Sequence, residues 1–173
     1  MDIALNITGL DAMTALFQRA PALTEQRLTA AMHEAQMLLQ REVAEATPTG
    51  AHQLLRKSII AGPVKRLSGG LLGVVEVEDR GGRYGSTLDY AVAVELGTKP
   101  HFPPIAPLVD WVKAKLGERG KAAEATARAI AWKISHHGTE GAHMFQTTHD
   151  RLAPEVQAIF DRAIAGLVAE LGA

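Results

Sequence analysis

Residues 90–96 alternate between two sets of side chains and predict a strand around which the fold is organised. Val92, Val94 and Leu96 occupy every second position, the period expected of a strand whose two faces meet different environments. The strand is predicted to end at residues 97–100, Gly-Thr-Lys-Pro, because glycine admits positive φ and proline cannot donate a ladder hydrogen bond. The chain before this stretch is predicted to build a sheet, and the chain after it to cover or extend that sheet.

Three further segments have strand patterns, at residues 2–10, 58–67 and 71–79. Pro63 interrupts the second of these, so we expect that strand at an edge or with a bulge, since proline donates no hydrogen bond. Residues 80–87 are rich in glycine and predict a long hairpin loop that leads into the strand at 90–96. The strands at 58–67, 71–79 and 90–96 together predict an antiparallel meander.

One long helix is predicted upstream of the sheet, at residues 24–46. Thr24 is suited to cap its start, and Thr47 precedes a proline that ends it. Shorter helices are predicted at 11–20, stopped before a proline, and at 51–57. The apolar stripe of the long helix is predicted to pack across the sheet, and it consists of Leu28, Ala31, Met32, Ala35, Leu38, Leu39, Val43 and Ala46.

The second half of the chain is predominantly helical in its pattern. Residues 107–116 and 122–137 each show apolar positions at helical spacing and are each followed by glycine, which commonly ends a helix. An amphipathic helix is predicted at 152–171. The 173 residues therefore predict one α+β domain, in which a small twisted antiparallel sheet carries a long helix, further helices and a C-terminal helix.

Two short motifs resemble a known family. The first is Tyr90-Ala91-x-x-Val94-Glu95-x-Gly97-Thr98, and the second is Thr47-Pro48-Thr49-Gly50 followed by Ser58. Together with the terminal helix, they resemble the HK97-type (gene product ten-like) neck and tail-completion proteins of tailed bacteriophages, over most of residues 24–171. Because such proteins pass more directly from the Gly-Thr strand end to the last helix, residues 101–140 are interpreted as an inserted helical hairpin.

This resemblance implies a structural role. It implies a virion component, assembled in the bacterial cytoplasm, that completes the tail or joins head and tail in the neck. The implied partners are other copies in a six-membered ring and neighbouring head–tail or tail proteins, with duplex DNA passing through the lumen without sequence recognition. An infectious phage, a prophage remnant and a gene-transfer particle are all compatible with this role.

The composition excludes several classes of function. The chain has no cysteine, which excludes disulfides, thiolate metal sites and cysteine nucleophiles. Lys plus Arg is 18 and Asp plus Glu is 19, so no overall basic field indicates a nucleic-acid binder. A secretion signal and a run of about 20 apolar residues, as membrane helices need, are both missing from the pattern. We therefore expect no membrane association.

Four histidines form the one cluster with metal-ligating potential: His136, His137, His143 and His149. Their spacing matches no zinc pattern, and adjacent histidines on a helix point about 100° apart. We expect surface and helix-end histidines here, and no metal or other cofactor.

No catalytic arrangement emerges from the remaining polar residues. None of the serines lies in a Gly-x-Ser-x-Gly elbow, and Glu76, Glu78 and Asp79 follow a strand without a matching lysine. We therefore expect a non-enzymatic protein. Two alternatives stay open: a minor DNA-binding or packaging factor, suggested by basic residues at 56–66, and a metal-dependent hydrolase.

Candidate contacts with other subunits or tail proteins lie at both ends of the predicted central strand. Arginine and tyrosine are enriched at interface hot spots, and a polar glycine-rich loop contributes little to a core. The loop at 80–87 and the strand end are therefore predicted to make contacts through Arg80, Arg83, Tyr84, Glu95, Thr98 and Lys99.

Overall fold

The computed structural model describes residues 10–50, 53–81 and 85–172, and it confirms the α+β class. Small antiparallel ladders accompany the helices, and the predicted strand at 2–10 lies outside the described residues except for Leu10. In chain order, the elements are α1 (Leu10–Ala46), α2 (Leu54–Ser58), β1 (Ile59–Ala61), β2 (Lys65–Leu67), β3 (Gly70–Leu72), β4 (Val75–Val77), α3 (Thr87–Leu96), β5 (Gly97–Thr98), α4 (Ile105–Leu116), α5 (Gly120–His137), β6 (Thr139–Glu140) and α6 (Met144–Leu171).

Helix α1 is continuous, so the predicted break before Pro21 is wrong. Leu16, Ala20 and Leu23 are all partly buried, which shows that helical spacing of apolar positions continues across the proline. A proline in a helix interior removes one hydrogen bond and costs about 3 kcal/mol, and here this cost is absorbed without a break. None of the described helices, α1 included, is both long and apolar enough to cross a membrane.

Helices α1 and α6 pack as an antiparallel pair. Ion pairs join Glu34 to Arg162 and Glu42 to Arg151 across the pair, each at 2.9 Å. Between them, Ala31, Ala35 and Ile159 form a buried cluster, and the small alanines let the two backbones approach closely. The predicted C-terminal helix is thus confirmed, but it begins at Met144 and not near residue 152.

The first turns of α1 extend beyond α6. Arg27 pairs with Glu170, one residue before the end of α6 at Leu171. Residues 10–26 therefore continue past the described end of α6 for about 25 Å, at 1.5 Å per residue. We call this part of the helix the α1 overhang, and Phe17 is exposed on it.

Strands β1 to β4 form one long hairpin with an interruption in the middle. Strand β1 pairs with β4 and β2 pairs with β3, both antiparallel. Three residues, 62–64, lie between the two ladders on one side and two residues, 73–74, on the other, so the hairpin carries a one-residue bulge. The bulge contains Pro63, which confirms the expectation drawn from that proline.

Helix α1 lies across this hairpin, as predicted, and bonds to it through side-chain amides. Gln36 Nε2 donates to the carbonyls of Gly62 and Val74 at 2.9 and 3.0 Å, and Gln40 Nε2 donates to the Ile59 carbonyl at 3.0 Å. The Val74 carbonyl accepts from the Gly62 amide as well, at 2.8 Å, so Gln36 joins α1 to the two strands at the point where their ladder is interrupted. Beside them lies the main core cluster, made of Val43, Leu55, Ile59, Ala91 and Met144.

The strand predicted at 90–96 is wrong, because this segment forms helix α3. The Ser86 side chain caps the helix, accepting from the Leu88 and Asp89 amides at 3.1 and 3.4 Å. Thr87 and Ala91 are buried, which fits a helical spacing toward the core. The predicted meander is therefore wrong too, since the glycine-rich loop joins strand β4 to a helix.

Helices α4 and α5 form the predicted helical hairpin. Its two-stranded base is β5 paired with β6, in the register Gly97–Glu140 and Thr98–Thr139. Helix α4 begins at Ile105 after Pro104, so Pro107 lies in the first turn and not at the first position. The hairpin has its own buried cluster of Val112, Ala123 and Ala127, with Ile105, Leu108, Val109 and Ile130 packed against it.

Candidate functional site

The residues of the two sequence motifs lie close to where α1 ends, α3 ends and α6 begins. Thr47 Oγ1 donates to the Val43 carbonyl at 2.7 Å and contacts Met144 Sδ at 3.2 Å. Ser58 is fully buried and donates to the Leu54 carbonyl at 2.8 Å. Motifs that are about 30–40 positions apart in the chain thus contribute to one region of the fold. We call this region, where α1 and α3 end and α6 begins, the junction.

Tyr90 connects the two motifs directly. Its hydroxyl lies 3.7 Å from the position that a Cβ atom on Gly50 would occupy. Half of the Tyr90 side chain remains exposed, yet burial of the hydroxyl end raises the pKa of the phenol above its ordinary value. The Tyr90 hydroxyl therefore lies against Gly50, while about half of the residue stays on the surface.

Glu95 caps the start of α6. Its two carboxylate oxygens accept from the Phe145 and Gln146 amides at 3.1 and 3.2 Å, while the side chain of His143, the residue before the helix, makes no capping bond. A carboxylate at this end also interacts favourably with the helix dipole. This predicted partner contact is thus engaged within the chain.

Three glycines allow two backbone segments to cross at the junction. A Cβ atom on Gly97 would lie 2.3 Å from the Thr139 carbonyl oxygen, one on Gly138 2.0 Å from the Thr98 oxygen, and one on Gly141 2.5 Å from the Glu95 oxygen. Each distance is far below van der Waals contact. The carbonyls of Val94 and Glu95 then accept from the amides of residues 142 and 143 at 2.7 and 3.1 Å, which ties the end of α3 to the start of α6.

Of the two predicted contact residues Thr98 and Lys99, the first makes a contact within the chain and the second does not. Thr98 Oγ1 lies 3.0 Å from Thr139 Oγ1, within the base of the hairpin. Lys99 is exposed, and its ammonium forms no ion pair with any described residue. Of the predicted contact residues at this end, Lys99 is therefore the one that the chain leaves available.

The loop at 80–87 is anchored at both ends by Asp79. The carboxylate accepts from the amides of Gly81 and Thr87 at 3.1 and 2.9 Å and from Ser86 Oγ at 2.9 Å. These bonds, first that from Gly81, hold the pKa of Asp79 below its usual value. Arg80 is half exposed and pairs with Glu78. Arg83 and Tyr84, predicted contacts at the tip, lie outside the described residues.

The histidines do not assemble with carboxylates into a metal site within the described part of the chain, where no group of three or more potential ligands is close enough. His136 stacks on Trp132 with ring centroids 4.3 Å apart. His149 lies 3.2 Å from Asp150. These contacts are typical of a solvated helix surface.

Sequence reasoning missed two surfaces that the structure brings out. Leu88, Val92 and Leu96 form an exposed apolar stripe along α3, and their four-residue spacing was the available signal. The second surface is a groove of about 790 Å³ between α1, α2 and α6. The groove is lined by Glu34, Met37, Leu38, Gln40, Arg41, Ala44, Arg56, Lys57, Ile59, Glu155, Ile159 and Arg162.

Comparison with family models, with curated proteins and with solved structures finds no match for this chain. Membership of the family that its motifs resemble is therefore a proposal, and it rests on the residues described above.

The capping role of Glu95 gives a stability prediction. Replacing Glu95 by Ala removes both acceptors and is expected to lower the free energy of unfolding by about 0.5–2 kcal/mol, the usual range for a helix cap. The free energy of unfolding of Glu95→Gln is expected to lie between those of the parent and of Glu95→Ala. The amide oxygen still accepts a hydrogen bond, but the side chain lacks the negative charge that is favourable at a helix start.

Urea denaturation followed by circular dichroism measures this difference. Glu45→Ala is the matched control, since Glu45 is exposed on α1 and such surface changes cost under about 0.5 kcal/mol. Equal losses at Glu45 and Glu95 would show that the carboxylate does not stabilise α6.

Proposed function

We propose that this chain is a structural component of a tailed phage or phage-like particle, where it completes the tail or joins head and tail in the neck. The observation that carries the proposal is the junction. Nearly every motif residue on which the resemblance rests has a structural task there: Tyr90 lies against Gly50, Glu95 caps α6, Gly97 permits the backbone crossing and Thr98 pairs at the hairpin base. A motif whose residues act together in this way is stronger support than the same letters spread along a chain.

The proposed particle role includes self-assembly into a ring of six, the number being that of the family resembled. Exposed apolar side chains support assembly with other proteins, since larger apolar patches mark interaction sites. Besides the α3 stripe, Phe102, Leu116 and Trp132 on the hairpin are exposed. The charge balance of −1 suits a channel through which DNA passes without adhering.

Deleting the gene from a strain that produces the particles tests this function. We expect electron micrographs to show filled heads and separate or incomplete tails, and expression of the chain from a plasmid to restore joined particles. Complete particles in the deletion strain would overturn the proposal. In wild-type particles, averaged density at the neck or upper tail is expected to contain the chain with six-fold symmetry.

A minor DNA-binding or packaging factor is the second candidate, and one surface favours it. Lys121, Arg128 and Lys133 are exposed on α5 around the exposed Trp132, and none of the three cations pairs with a described carboxylate. Binding of duplex DNA whose affinity falls steeply with salt, and is lost in Arg128→Glu, would support this candidate. No binding at low salt would exclude it.

A further inference from the structure

The α3 stripe is an apolar surface on a helix whose charged residues are acidic. Leu88, Val92 and Leu96 are 48%, 52% and 68% exposed, and they follow one another at four-residue steps along the same side of the helix. The charged residues of α3 are Asp89 and Glu95, both acidic. Glu95 caps α6, whereas the Asp89 side chain is exposed and has no partner among the described residues.

The groove between α1, α2 and α6 has the complementary character. Its two buried lining residues, Ile59 and Ile159, are apolar, and Met37 in the same lining is 61% exposed. Methionine adapts well to an incoming apolar side chain. A ten-residue helix is about 15 Å long, and the α1 residues that line the groove, from Glu34 to Ala44, span about the same length.

The charges of the groove are mainly basic. Arg162 pairs with Glu34, and Arg41 pairs with a carboxylate outside the groove. Arg56 and Lys57, on α2, form no ion pair within the described chain. Of the two carboxylates in the groove lining, Glu34 is paired and Glu155, on α6, forms no ion pair with a described residue. The α2 end of the groove therefore presents uncompensated positive charge.

We propose that α3 of one copy docks into this groove on a second copy, with Asp89 toward Arg56 and Lys57. The two surfaces share no residue, so each copy can offer its stripe to one neighbour and its groove to another, and repetition of this head-to-tail contact generates a closed ring or a filament. The inference deepens the proposed ring and rests on it. One short helix makes a small contact beside the roughly 800 Å² per partner of a standard interface, so isolated subunits are expected to be monomers at micromolar concentration.

Disulfide trapping tests the contact directly, because the chain has no cysteine of its own. Met37→Cys marks the groove and Val92→Cys marks the stripe. Under mild oxidation at millimolar concentration, a mixture of the two single variants is expected to give a cross-linked dimer. A chain carrying both is expected to give a ladder of oligomers. Val92→Cys mixed with Ala129→Cys, an exposed position on α5, is the matched control and is expected to stay monomeric.

Charge exchange supplies an independent measurement. Asp89→Lys and Lys57→Glu are each expected to lower the yield of the Met37–Val92 cross-link about tenfold, and the two together to restore most of it. Lys57→Glu is a surface change that should leave the melting temperature unchanged, whereas Asp89→Lys also removes the acidic residue in the first turn of α3 and is expected to lower it slightly. Cross-link yields are therefore compared at a temperature at which both variants are folded. A yield that does not respond to these charges would overturn the assigned orientation of Asp89.

Other outcomes overturn the inference and leave the proposed function intact. Cross-linking of Val92→Cys to itself would show that α3 meets α3. Protection of Val92→Cys from maleimide in assembled particles, without a link to Met37→Cys, would show that another protein covers the stripe. Conversely, a cross-linked ladder from purified protein together with complete particles in the deletion strain would reject the proposed function and keep the contact.

Discussion

Gly138→Ala is expected to lower the free energy of unfolding by about 2–6 kcal/mol, one of the two largest effects that the structure predicts. Two costs add: about 1–3 kcal/mol for a backbone region that essentially only glycine adopts, and about 1–3 kcal/mol for overpacking. Gly138 has φ 70° and ψ −156°, and its Cβ atom would lie 2.0 Å from the Thr98 carbonyl oxygen. Because the atoms that this Cβ would meet are backbone atoms of Thr98 and Lys99, the clash is relieved only by separating the two backbone segments at the base of the hairpin.

Gly117→Ala isolates the conformational part of this cost. Gly117 ends α4 at φ 72° and ψ 3°, and no atom lies within 4 Å of the position that its Cβ atom would take. Its substitution should therefore cost only about 1–2 kcal/mol, the penalty of a left-handed residue. Urea denaturation midpoints compare the two variants, and equal losses would mean that the crossing of backbones at the junction is looser than described.

Excision of the helical hairpin is expected to leave a folded body that no longer supports particle assembly. Replacing residues 99–138 by Asn-Gly joins Thr98 to Thr139, which already face each other in register, through a turn type that two-residue hairpins favour. The hairpin has its own core, so its removal exposes little of the main one. We expect the melting temperature to stay within about 4 °C of the parent, a shift of about 1 kcal/mol.

Complementation of the deletion strain measures the functional half of this prediction. Trp132→Ala in the intact chain is the matched point variant, since exposed tryptophans are frequent hot spots of interfaces. We expect both changes to reduce the number of joined particles, the excision more strongly. Normal assembly by the excised chain would show that the hairpin is dispensable, and its failure to fold would show that the hairpin completes the main core.

The helices of the second half could be predicted from the sequence because their signals are local. Helices α4 and α5 end at glycines that the pattern already marked. In α3 the local signals conflict: Val92 and Leu96 are exposed apolar residues, so apolar positions occur on both sides and imitate the alternation of a strand. Ser86 followed by Asp89 at the third helical position is the capping pattern that favoured a helix, and it was the better guide.

The candidate site could be predicted only in part, for a different reason. Glu95 was identified as a residue with a task, but its partner Phe145 is 50 positions away, and no local pattern connects a carboxylate to a distant helix start. The same holds for the glycines at 97, 138 and 141, which share one crossing. The role of such residues depends on which segments the fold brings together, and the groove between α1, α2 and α6 exists only after that step.

The helical structure of the α1 overhang depends on the rest of α1. A free peptide of its length would be marginally helical in water, because starting a helix is unfavourable. Residues 10–26 need no such start, since they continue a helix that is packed from Arg27 onward against α6. They are therefore expected to fray from the far end, with the amides near residue 10 exchanging with solvent fastest. A subunit that packed against Phe17 would extend this protection outward turn by turn.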